Sequence, residues 1–124
     1  MTAETVEPTF FDKRDQLEQI LPFILPTEQL FGVFDLRGGG TGFIAVTDLR
    51  LILYDKAFLG KKKALTSVPY RQITTVSSVD QGGLFRSSSE LVVKTGTEVF
   101  VFEFHGGEKA HRAYGLIMAS LLRD

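Results

Sequence analysis

From residue 30 to residue 104 the apolar side chains recur at every second position in short runs, and from residue 108 they recur every three to four. This change of period constrains the fold more than any other feature, because a strand repeats its faces every two residues and a helix every 3.6. The runs span residues 30–36, 42–47, 50–58, 63–68, 73–79, 90–94 and 98–104. Turn residues fence each of them: Gly38-Gly39-Gly40, Thr47-Asp48, Leu59-Gly60-Lys61, Pro69-Tyr70-Arg71, the Asp80-Gln81-Gly82-Gly83 stretch and Thr95-Gly96-Thr97. Seven short strands in series predict a mainly β, antiparallel fold.

The flanks are helical in pattern. Gly106-Gly107 breaks the last strand, and Ala110, Ala113, Tyr114, Ile117 and Leu121 then form one stripe, which predicts a helix over 108–122. Gly115 inside it costs on the order of 1 kcal/mol against alanine, and close approach to a strand beneath would account for it. Upstream, Leu17, Ile20, Leu21 and Ile24 share a helical face within 12–25, with Asp12 as the expected N-cap and Pro22 as the point where the helix ends or kinks. The first ten residues are polar and are expected to fray.

The chain of 124 residues is long enough for one core, so the expected organisation is a single unit, with a tail and helix over 1–27 and the β domain over 28–124. It has no cysteine, which excludes disulfides and thiolate chemistry. The acidic start lacks the form of a signal peptide, and no stretch approaches the roughly 20 apolar residues of a membrane span. A cytoplasmic protein is expected.

No motif in the sequence has the context that its chemistry requires. Gly38–Gly40 leads into a strand, whereas a phosphate loop must open a helix. His105 and His111 match no usual metal-ligand spacing. Ser87-Ser88-Ser89 lack a nearby histidine, and no carboxylates stand paired for acid–base work. No catalytic residue, metal or cofactor is expected. The net charge of −1 argues against nucleic acid as a partner. Positive charge is nevertheless concentrated in 37–71, where Arg37, Arg50, Lys56, Lys61, Lys62, Lys63 and Arg71 face only Asp48 and Asp55. Arg37 and Lys61–Lys63 are therefore candidate contacts for an anionic ligand or lipid.

The stretch from Phe43 to Asp55, reading FIAVTDLRLILYD, and Ser67-Val68-Pro69-Tyr70-Arg71-Gln72-Ile73 resemble the second-to-third strand hairpin and the Pro-Tyr link of bacterial pleckstrin-homology (PH) domains, the YokE-like group in particular. The likeness spans roughly residues 28–122. It implies a PH-like, partly open, seven-stranded antiparallel barrel capped by the C-terminal helix, with an additional N-terminal helix. It also implies a non-catalytic scaffold whose binding sites vary. The basic first hairpin that binds phosphoinositides in eukaryotic PH domains is reduced here to Arg37.

The strands at 30–36 and 98–104 carry apolar residues on both faces. Leu30, Phe34, Val99 and Val101 are the expected outward set and the candidate interface, either with a second copy or with another protein; cover by the chain's own helices is the alternative. The expected function is protein–protein or self-association, with peripheral binding to an anionic membrane through Lys61–Lys63 as the alternative.

Overall fold

The computed structural model describes residues 10–37, 42–55, 64–80 and 88–123. Two sheets carry the fold. The first has the order β1(Phe10–Phe11), β2(Leu30–Asp35), β3(Phe43–Thr47), β4(Arg50–Asp55), β5(Ala64–Pro69); the second has β6(Ile73–Asp80), β7(Ser88–Thr95), β8(Val99–His105). All neighbours are antiparallel except β1 and β2, which run parallel. One isolated bridge, Leu36 to Phe104, joins the sheets at one seam, while β5 leaves its sheet through a 3-10 turn, Tyr70–Gln72, before β6 begins. The assembly is a two-sheet PH-like fold and not a closed barrel.

Two apolar layers follow from the strand faces. Between the sheets lie Phe34, Ile44, Val46, Leu51, Leu91, Val93, Phe102 and Phe104, covered by the helix α2(Lys109–Leu121) through Ala110, Ala113 and Ile117. Gly106, with φ of +92°, makes the turn from β8 into that helix in a conformation open to glycine. On the other side of the five-stranded sheet, Val33, Phe43, Ala45 and Ile52 are covered by Leu17 and Ile20 of the helix α1(Arg14–Ile20). As expected from Pro22, α1 gives way at once to a 3-10 turn over Leu21–Phe23.

Several sequence expectations are corrected. Leu30 and Phe34 do not face outward: both are buried. A β-bulge between Leu30 and Gly32 breaks the period of two, so Leu30 turns to the face covered by α1 while Phe34 points between the sheets. Of the ten residues expected to fray, 1–9 lie outside the described residues and Phe10 is ordered: with Phe11 it pairs with Gly32 and Val33. Lys13, not Asp12, is the N-cap of α1, and Asp12 instead bonds the backbone N–H of Asp35. Gly115 has open space where a side chain would sit, so no strand approaches it. Tyr114 is exposed, and Leu53 and Leu121 are half-buried, whereas Leu51, Phe102 and Ile117 are buried as expected.

Candidate functional site

The period-two pattern of β8 divides its side chains between two environments. Phe102 and Phe104 enter the core and Phe100 packs against it, while Val99 and Val101 stand on the opposite face at 62% and 58% exposure. The cross-strand register sets Val101 beside Val92 and Ser77, and Val99 beside Lys94 and Thr75. Glu90 pairs with Glu103 in the next row of the same face, beside the exposed Val79. The outer face of the three-stranded sheet is thus an apolar strip rimmed by Lys94 and two glutamates. On the outer face of the five-stranded sheet, α1 covers Val33, Phe43, Ala45 and Ile52 and leaves Leu65 of β5 exposed.

Arg37 lies at the seam. Its backbone N–H donates to the Glu103 carbonyl at 2.8 Å, and its guanidinium lies 3.6 Å from the Glu103 carboxylate. It is therefore engaged with β8. Lys61, Lys62 and Lys63 lie outside the described residues. Of the candidate residues, the structure keeps Val99 and Val101 together at the surface and does not bring Leu30 or Phe34 to them.

The Thr-Asp turn and the Pro-Tyr link converge on one polar cluster. Arg50 grips Glu28 with two charge-assisted bonds, Nε to Oε2 at 2.7 Å and Nη2 to Oε1 at 2.8 Å. Arg50 also donates to the Phe23 carbonyl and to Ser67 Oγ. The Thr47 hydroxyl donates to Glu28 and accepts the N–H groups of Leu49 and Arg50. The Tyr70 hydroxyl donates to the Thr47 carbonyl at 2.5 Å, and burial, then the nearby Asp48 and Glu28 charges, push its pKa upward. Burial alone would raise the Glu28 pKa; the bonds from Arg50, Thr47 and the Leu25 N–H, with the Arg50 charge, outweigh it and hold the carboxyl below its ordinary value. Every strong donor in this cluster is spent on the chain itself, which makes it a clamp between the N-terminal segment and the sheet.

A second polar knot was not legible in the sequence. Asp35 receives Gln16 Nε2 at 2.6 Å, lies 3.0 Å from His105 and 3.5 Å from Lys13, and its N–H reaches Asp12, which pairs with Lys109 at 2.6 Å. Ser78 Oγ meets His111 Nδ1, a pairing that no spacing rule could reveal across 33 positions. Among the described residues no carboxylate orients the other nitrogen of that ring, so the pair lacks the third group of a nucleophile triad. No group of three or more potential metal ligands occurs among the described residues, and no described helix is long and apolar enough to cross a membrane.

Comparison with known proteins gives a consistent result. A family model described as bacterial PH domain matches residues 3–121; it does not single out the YokE-like group. Among solved structures, the chain is similar to a pleckstrin homology domain from Shewanella amazonensis, with 23% identity, a TM-score of 0.65 and 90% of each chain covered. It is similar also to a DUF1696 family protein with a pleckstrin-homology domain from Shewanella loihica, at 23% identity and a TM-score of 0.62, covering 89% of this chain and 93% of that one. The C-terminal domain of an unknown protein from Leishmania infantum shares 17% identity with a TM-score of 0.52, covering 89% and 94%. At such identities the likeness is one of fold. No curated protein matches.

Proposed function

This chain belongs to the bacterial PH domain family, and on that footing we propose that it is a non-catalytic cytoplasmic module that assembles with itself or with another protein through the outer face of β6–β8. Members of this fold mediate protein or lipid contacts and are generally non-catalytic. The observation that carries the reading is the contrast between the two sheets: one outer face has a helix of its own, and the other leaves Val99 and Val101 in water. A charged rim around an apolar centre is the composition of a contact surface.

Light scattering on the full chain at micromolar concentration is expected to give at least twice the monomer mass, since a stable assembly needs an interface of about 1,000 Å². Val101→Lys replaces an exposed residue, so it leaves the fold within about 0.5 kcal/mol of the parent and reduces the particle to a monomer. If the parent is already monomeric and Val101→Lys changes no partner binding, this face has no such role.

The alternative is an anionic membrane surface contacted by Lys61–Lys63, supported by the lysine run in the sequence and opposed by the engagement of Arg37 with Glu103. Acidic liposomes at low salt would sediment the chain on that reading, and salt would release it.

A further inference from the structure

The free edge of β5 forms a surface separate from the outward valines and does not rest on their role. β5 pairs with β4 along one edge, and among the described residues no strand pairs with the other. Edge strands are normally guarded by charge, proline or a bulge, because their unpaired N–H and C=O groups invite a further strand. β5 reads Ala64-Leu65-Thr66-Ser67-Val68-Pro69: it has no charge, and its single proline stands at the end. Leu65, Thr66 and Ser67 are exposed.

Beside this edge the two sheets part, and a cleft of about 160 Å³ opens between β5 and the β7–β8 turn. Val68, Pro69 and Phe100 give it apolar surface, and Thr66, Gln72 and Glu98 give it polar groups. The volume is well below the roughly 300–1,000 Å³ of sites for drug-sized ligands, so a nucleotide or similar molecule does not fit. One side chain does. Glu98 is the only charged residue among the described residues that line the cleft. Its place is fixed by the turn: its N–H donates to Thr95 Oγ1 at 3.0 Å and its carbonyl accepts the Thr95 N–H at 2.9 Å. A lone carboxylate disfavours phosphate and favours an ammonium or guanidinium.

We infer that β5 receives an extended peptide segment by strand addition, with one lysine or arginine of that segment entering the cleft beside Glu98. The main chain of such a segment satisfies the open edge, and the cleft supplies selectivity at a single position, as in other strand-addition sites.

The test is selection of short random peptides, displayed as a library, on the full immobilised chain, followed by fluorescence anisotropy with the enriched peptide. Enriched sequences are expected to carry one basic residue within an alternating, β-branched context. Their amide shift changes should fall on residues 64–69 and 95–100. Glu98→Lys should weaken that peptide about tenfold, equivalent to about 1.4 kcal/mol, and exchange of its basic residue for Glu should restore binding to the variant. Thr66→Lys, which places a charge on the edge, should abolish binding; an unchanged thermal transition shows that the variant is folded. Failure to enrich any peptide, enrichment without basic residues, or shifts confined to the outer face at Val99 and Val101 would each overturn the assignment. So would a parent dimer that Thr66→Lys dissociates, because the edge would then belong to a second copy.

Discussion

Glu28 is a buried carboxylate kept ionised by its partners, and this fixes the direction of a pH effect. Burial opposes its charge, but Arg50, Thr47 and the Leu25 N–H together lower its pKa in the folded chain. A carboxyl whose pKa is lower when folded contributes stability above its unfolded pKa and loses it as pH falls through the folded value. Urea unfolding should therefore show stability declining below about pH 4.5, and Glu28→Gln should flatten that acid limb. Glu28→Ala, which leaves the Arg50 guanidinium without its carboxylate, should cost on the order of 2–3 kcal/mol at neutral pH. Gly115 makes the opposite case. A methyl group there meets open space, so Gly115→Ala should raise stability by about 0.5–1 kcal/mol, read as a higher thermal midpoint.

At the scale of elements, the helix over the core has a graded face. Ile117 is fully buried and Leu121 only half so. Ile117→Ala should cost about 2–4 kcal/mol by leaving a cavity, and Leu121→Ala roughly half as much; chemical denaturation of the two variants would rank them. The strands from 30 to 105 were legible because alternation and turn residues are local signals. Their described boundaries fall within one residue of the expected ones, apart from β7, which starts two residues early, and the expected end of the third strand at residue 58 lies outside the described residues. Phe10–Phe11 was not legible: two residues have no period, and their partner lies more than twenty positions on. Nor was the bulge at Leu30 and Gly32, which has no sequence signature here yet reverses the face of Leu30. Of the candidate site, the outward valines were readable from alternation alone, while the cover over the other sheet depends on where α1 docks, a matter of tertiary packing.

For the molecule as a whole, residues from β1 and α1 form a second core layer with the five-stranded sheet, joined to the rest by the Arg50–Glu28 clamp and the Asp12–Lys109 pair. Deleting residues 1–27 should therefore expose Val33, Phe43, Ala45 and Ile52 and destroy the cooperative transition, with aggregation seen by light scattering. Phe10 shows how far this joining reaches. Its ring lies 5.1 Å from Phe34, which stacks on Phe104 at 5.4 Å, and Lys109 and Arg112 sit over it at 4.8 and 4.7 Å. The Asp12–Lys109 pair spans 97 positions. During synthesis Phe10 is made well before Lys109 and Arg112 and waits, at about 5–20 residues per second, for several seconds before these cations exist. Until α2 is made, the layer between the sheets lacks the helix that covers it, and Phe10 lacks its contacts with Lys109 and Arg112. A ribosome stalled before Lys109 therefore holds a nascent chain whose inter-sheet layer, without Ala110, Ala113 and Ile117 to cover it, is open to chaperones.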